Sequence, residues 1–157
     1  MAILKGQQIV KNRSEIIRDL NRAAAAELQA AYHYKLLSVV ATGMHGREVA
    51  EKFAAMATHE WEHMGLFMER VVQLGGVPFE KLSEAEKISF GKHYPLPKDA
   101  ADWKKMLKDA IAAEQDAIMF YNDLLERAHG DAVTQHLVRE ALEDEVEDEH
   151  SLASLLE

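Results

Sequence analysis

The chain has 157 residues, 48% of them hydrophobic, and its 27 acidic side chains against 18 basic ones leave a net charge of −9. A length within the usual range of roughly 100 to 200 residues is expected to form a single domain spanning 1–157. With no cysteine, a disulfide framework, a thiolate zinc site, an iron–sulfur cluster and a cysteine nucleophile are excluded. The acidic balance argues against binding DNA or RNA, whose phosphates need a concentrated basic surface. No secretion signal or long apolar run is present, so a cytoplasmic protein without a membrane partner is expected.

The first helix is predicted over about 13–42, opening at Asn12 or Ser14 as N-cap and stopping at Gly43. Its apolar face carries Ile16, Ile17, Leu20, Ala24, Ala31, Tyr34 and Leu37. The second, over about 46–74, presents Phe53, Met56, Ala57, Met64, Phe67, Val71 and Leu74 and ends at Gly75-Gly76, with Pro78 beyond. Residues 75–98 hold all three prolines and read as a crossover, in which Ser83 and Glu86 form a capping box that predicts a short helix near 83–90. The third helix, over about 99–129, stops at Gly130. The fourth, over about 131–156, starts from an Asp131 cap and carries Val133, Leu137, Val138, Leu142, Val146, Leu152 and Leu155.

No segment alternates apolar and polar residues as a strand would, so the chain reads as all-α. Short Gly-bearing turns make each helix pair an antiparallel hairpin. At about 3.3 Å per residue the crossover can reach about 80 Å, whereas a 30-residue helix is about 45 Å long. It can return along the whole bundle, giving an antiparallel four-helix bundle with one long crossover between helices two and three.

A glutamate interrupts the apolar stripe near the middle of every helix: Glu27, Glu60, Glu114 and Glu147. An unpaired carboxylate there would cost several kcal/mol or stay protonated. Two are followed by histidine at i+3, as Glu60-x-x-His63 and Glu147-x-x-His150, a spacing that puts both side chains on one helix face. Glu-x-x-His alone is weak; a third copy, Glu126 with His129, is read as an accident of composition. The arrangement is more specific, because Glu27, Tyr34, Glu60 and His63 each recur 87 positions later as Glu114, Tyr121, Glu147 and His150. This self-similarity predicts a duplicated hairpin with pseudo-twofold symmetry. All four carboxylates and both histidines are then expected at one height in the core, a donor set that suits two divalent ions, with iron or manganese the natural candidates.

The pattern resembles the ferritin-like di-iron and di-manganese bundles, over about residues 13–156. The resemblance implies that Glu27 with His63, and Glu114 with His150, each hold one metal while Glu60 and Glu147 bridge the pair. It also implies that Tyr34 and Tyr121 hydrogen-bond the terminal carboxylates. Thr42-Gly43-Met44, Leu74-Gly75-Gly76 and Tyr94-Pro95-Leu96-Pro97 are similar to the Dps-like mini-ferritins with a bacterioferritin-type site. Many of those carry a cysteine pair near the site, at positions matching Gly91 and Asp116. The haem-binding methionine of bacterioferritin matches Trp61, so haem is not expected. No fifth helix follows His150 as in 24-subunit ferritins, which favours twelve subunits over 24.

The implied function is a ferroxidase. Two Fe²⁺ per subunit, with manganese or zinc as alternatives, would bind between Glu27, Glu60, His63, Glu114, Glu147 and His150. Hydrogen peroxide or dioxygen would oxidise them, for iron storage and protection inside a hollow homo-oligomeric cage. The alternative is a stand-alone di-iron or di-manganese oxidase or peroxidase, rubrerythrin- or catalase-like, without storage. Glu140 and Asp144 are read as a possible route for Fe²⁺, and His59 as a surface or secondary metal contact. Lys5, Lys11 and Arg13 are too sparse for a DNA-binding tail.

Overall fold

The computed structural model describes residues 3–157. Among them are six helices and no strand: α1 (Lys5–Gln8), α2 (Arg13–Val40), α3 (Gly46–Gln73), α4 (Leu82–Ile88), α5 (Trp103–Arg127) and α6 (Ala132–Ser154). The four long helices form the expected bundle. Helices α2 and α3 pack as one hairpin and α5 and α6 as the other; α3 also packs against α6, and α2 against α5 and the short α4. All four neighbouring pairs are antiparallel, because the crossover carries the chain the length of the bundle before α5 begins. No helix among the described residues is long and apolar enough to cross a membrane.

Local chemistry explains where the helices start and stop. Gly75 has φ +82°, and the N–H groups of Gly75 and Gly76 donate to Val72 O and Val71 O, each at 2.9 Å. Such a turn satisfies the last carbonyls of α3 and needs a left-handed residue. The third long helix starts at Trp103 rather than near 99. Asp99 first forms a turn by accepting from Ala101 N at 2.9 Å, and Asp102 then caps the helix by accepting from Lys105 N at 3.0 Å. In α4 the Ser83–Glu86 pair lies inside the helix. Glu84 does the capping, accepting from Glu80 N at 3.1 Å and Lys81 N at 3.4 Å. Asn12 precedes α2 without capping it; its side-chain amide donates to Arg127 O at 2.6 Å and so closes the end of α5.

In α6 the buried side chains are Thr134, Val138, Ala141, Glu145, Asp148 and Leu152, alternating by four and three residues. Val133 and Val146, expected on the apolar face, are exposed. The valines mislead because the inward row of this helix is made of small and charged residues.

The apolar core is divided into two clusters. One, toward the α3 C-terminus, gathers Ile16, Leu20, Phe67, Val71, Tyr121, Leu124 and Val138. The other, toward the opposite end, gathers Tyr34, Leu37, Phe53, Met56, Met106, Leu107 and Leu152. Between them lie Glu27, Glu60, His63, Glu114, Glu145 and Asp148, all buried.

Beyond the first cluster, the buried Arg70 of α3 locks the start of α6. Its Nε donates to Thr134 Oγ1 at 2.9 Å, and its Nη2 to both Asp131 carboxylate oxygens at 2.9 and 3.1 Å. Asp131 also caps α6 by accepting from Thr134 N at 3.1 Å. Asp131→Ala should therefore lose a cap and strand a buried guanidinium, lowering stability by about 3–5 kcal/mol. A loss below about 1 kcal/mol in denaturant unfolding would show that this pair does not hold the helix ends together.

Candidate metal centre

Each long helix delivers its polar residues to the layer between the two apolar clusters. Helix α2 brings Glu27, α3 brings Glu60 and His63, α5 brings Glu114, and α6 brings Glu145 and Asp148. Ligand atoms of Glu27, Glu60, His63 and Glu145 lie within 4.8 Å of one another, and so do those of Glu60, Glu114 and Asp148. Two donors bound to one ion at about 2.1 Å each can be at most about 4.2 Å apart. Both groups need only a small contraction to bind, and Glu60 belongs to both.

The structure does not bring Glu147 and His150 into this layer. Both are exposed on α6, and the places expected for them are filled by Glu145 and Asp148. In the first hairpin Glu60 follows Glu27 by 33 residues, whereas in the second Glu145 follows Glu114 by 31. The second hairpin is shorter, with four residues between its helices where the first has five. Its returning helix also reaches the layer one residue sooner. The 87-residue repeat thus holds for Glu27 and Tyr34 and becomes 85 for Glu60 and His63. At about 100° per residue, a two-residue offset turns Glu147 and His150 almost to the opposite side of the helix. One signal in the sequence marks the difference. Stepping back from Glu145 by four and three meets Ala141, Val138 and Thr134; the same steps from Glu147 meet Glu143, Glu140 and His136.

The two tyrosines cross the pseudo-twofold axis. The Tyr34 hydroxyl donates to Glu114 Oε1 and the Tyr121 hydroxyl to Glu27 Oε1. Each phenol fixes a carboxylate of the other hairpin, and at Glu114 the second oxygen, Oε2, is left buried without a hydrogen-bond partner. His63 is held from outside, with Nε2 2.9 Å from Asp144 Oδ2. Its Nδ1 faces the centre, 3.4 Å from Glu60 Oε2, 3.5 Å from Glu145 Oε1 and 4.0 Å from Glu27 Oε1. A carboxylate behind an imidazole in this way orients the ring as a ligand. On the far side, Lys52 Nζ lies 2.5 Å from Asp148 Oδ1. A basic residue thus reaches the layer from two turns away along α3.

Four buried atoms in this layer have no hydrogen-bond partner: Glu60 Oε2, His63 Nδ1, Glu114 Oε2 and Glu145 Oε1. Four such orphans converging on one place would be costly if nothing else bound there. The electrostatics point the same way. Burial, and then the charges of Glu60 and Glu145, push the Glu27 carboxyl well above the usual range. Burial and a hydrogen bond with Glu145 do the same to Glu114. Burial also raises Glu145, with the Glu60 charge adding to it, and raises Glu60 against the opposing contact of His63. At His63 burial disfavours the charged ring, yet the close, negatively charged carboxylates of Glu145 and Glu60 outweigh it and carry the group up to about 11. The layer therefore retains protons that divalent cations would displace. Five carboxylates and one imidazole form a hard, oxygen-rich donor set that suits iron or manganese.

Two cavities reach the layer from opposite faces of the bundle. One, of about 160 Å³, lies between α2 and α5 beneath the crossover; Ala26, Ala30, Phe90, Tyr94 and Ala117 line it, and the four glutamates lie at its end. Phe90 closes over it by stacking on Phe120 with ring centres 4.1 Å apart. Gly91 and Asp116 are also in its wall, and Asp116 pairs with Lys92 at 3.0 Å. The other, of about 380 Å³, opens between α3 and α6 and is lined by His59, Glu62, His63, Glu140, Glu143 and Asp144.

Known proteins share both sequence and fold with this chain. It is 27% identical over 143 residues to a "DNA protection during starvation protein" of Pyrococcus furiosus, covering 90% of this chain and 77% of that protein. Over 136 residues it is 28% identical to a bacterioferritin of Desulfovibrio desulfuricans, covering 85% and 69%. A dodecameric thioferritin of Bacteroides fragilis, described as bacterioferritin-related, superposes with a TM-score of 0.87 at 25% identity, covering 97% of this chain and 90% of that one. Dps from Thermosynechococcus elongatus gives 0.86 at 19% identity, a likeness of fold, covering 92% and 91%. The family description "Ferritin-like domain" matches residues 17–157. Spanned by that match in all but its first 16 residues, the chain belongs to the ferritin-like domain family.

Proposed function

We propose that the chain is a ferroxidase subunit of an iron-storing, peroxide- or dioxygen-consuming cage. The observation that carries this reading is the convergence of four buried, unpartnered donor atoms on one layer of the core. Two Fe²⁺ ions are the substrate. Glu27, Glu60, His63 and Glu145 would hold one, and Glu60, Glu114 and Asp148 the other, with Glu60 shared. Hydrogen peroxide takes one electron from each ion and, with two protons, leaves as two waters, so no one-electron radical product is released. Carboxylates stabilise Fe³⁺ over Fe²⁺ and set the direction. The acidic cavity between α3 and α6 suits the approach of cations, and the apolar cavity beneath the crossover suits a small uncharged oxidant.

Assembly into a shell follows the dodecameric relative, and a native mass near 210 kDa, twelve copies of a 17.7 kDa chain, is expected in solution scattering or native mass spectrometry. A monomer or dimer would instead favour a stand-alone oxidase or peroxidase. The 160 Å³ apolar cavity speaks for that second reading, because an oxidant alone needs far less room.

Substitutions separate the two sets of acidic residues on α6. Glu60→Ala and Glu145→Ala should slow stopped-flow Fe²⁺ oxidation by about a hundredfold or more, while Glu147→Gln and His150→Gln should stay within about twofold of the parent. Loss of oxidation in the latter pair would restore the ligands expected from the sequence repeat.

Metal binding should also release protons. Glu27, Glu114 and His63 hold protons more tightly in the metal-free fold than in an unfolded chain, and these must leave as a divalent ion enters. Affinity therefore rises with pH, by about tenfold per unit for each proton displaced. The same raised values make the metal-free protein lose stability as pH rises above the ordinary carboxylate range, since the unfolded state then binds fewer protons. Calorimetric titration with Mn²⁺ in buffers of different ionisation heat checks the first effect. Binding that is flat between pH 5.5 and 7.5 would contradict it.

A further inference from the structure

The two halves of the polar layer differ in a way that the pseudo-twofold symmetry does not require. His63 is a nitrogen donor in one half, and its counterpart by position is Asp148, whose Oδ1 lies 2.5 Å from Lys52 Nζ. Both partners are mostly buried, with side-chain exposures of 22% and 10%, so the pair is a built contact and not a passing surface one. Five ionised carboxylates around two divalent ions would leave one negative charge over, and Lys52 supplies the missing positive charge.

We infer that Lys52 makes the two metal positions unequal. The position formed by Glu27, Glu60, His63 and Glu145 fills first. The position formed by Glu60, Glu114 and Asp148 fills second and more weakly. Three features of that second position support the order. It has no imidazole. Its aspartate shares its charge with an ammonium group on one oxygen. Any cation drawn to the other oxygen meets the field of that ammonium in a poorly screened interior. Lys52 thus acts as a positioning residue: it holds Asp148 in place, and its charge weakens the second position. The inference rests on the two-metal reading of the layer.

Anaerobic titration of the chelator-stripped protein with Mn²⁺, read by the electron paramagnetic resonance of free Mn²⁺, tests it without reference to activity. Two ions per chain are expected, with dissociation constants at least about tenfold apart. Lys52→Met should tighten the second step by about tenfold and move the first by less than about threefold, and Lys52→Arg, which keeps the charge, should preserve the gap. Equal affinities in the unaltered protein, or a Lys52→Met change that moves both steps alike, would overturn the inference and leave the two-metal reading intact. Binding of no Mn²⁺ would remove both.

Discussion

Five carboxylates, one imidazole and one ammonium group occupy a single layer in the middle of a helical core, and the rest of the structure is arranged around the cost of putting them there. Desolvated like charges cannot coexist without protons or cations between them. In the metal-free fold, burial and neighbouring carboxylates push Glu27 and Glu114 toward their neutral forms, and the surrounding carboxylates push His63 toward its charged one. Above and below it lie the two apolar clusters, each closed toward the layer by one tyrosine, Tyr34 in one and Tyr121 in the other. Those phenols supply hydrogen bonds that water would otherwise provide, and each ties its own helix to a carboxylate of the opposite hairpin.

The framework that keeps these groups in register is set at the bundle ends. Arg70, Asp131 and Thr134 fix α3 against α6, while Asn12 joins the start of α2 to the end of α5. Farther along α2, Asp19 takes Arg127 Nε at 2.8 Å and strengthens that edge. The crossover completes the enclosure on one side only. Asn21 fastens it by donating to Val77 O at 3.2 Å and accepting from Phe79 N at 3.1 Å, and Phe90 seals it against Phe120. The α3–α6 side remains open and acidic. A site approached by an apolar path on one face and an acidic path on the other can meet two reactants of opposite character without their sharing a route.

Most of the architecture was legible in the sequence because helix length, glycine stops and apolar periodicity are local properties. Four long helical stretches, a crossover carrying all the prolines and an Asp131 cap can be read from neighbouring residues alone. Four of the six residues of the buried polar layer were legible for the same reason. Glu27, Glu60, His63 and Glu114 interrupt strongly apolar stripes, where a charged residue stands out. On α6 the inward row is Thr134, Val138, Ala141, Glu145, Asp148 and Leu152, too poor in large apolar residues to stand out from an acidic neighbourhood. The repeated Glu-x-x-His at 147–150 stands on the exposed side of the helix.

By itself the sequence determined that this chain folds into paired helical hairpins with buried carboxylates at a common height, because spacing along one helix fixes which side chains share a face. It did not determine how far the second hairpin's returning helix slides and turns relative to the first. That depends on the length of the 128–131 connection and on which face of α6 packs against α3 and α5, and both are properties of the assembled bundle. Only the tertiary structure could show that Glu145 and Asp148, and not Glu147 and His150, face the layer. It also brought Lys52 onto Asp148 across 96 positions of sequence, since a buried charge finds its partner through space and not along the chain.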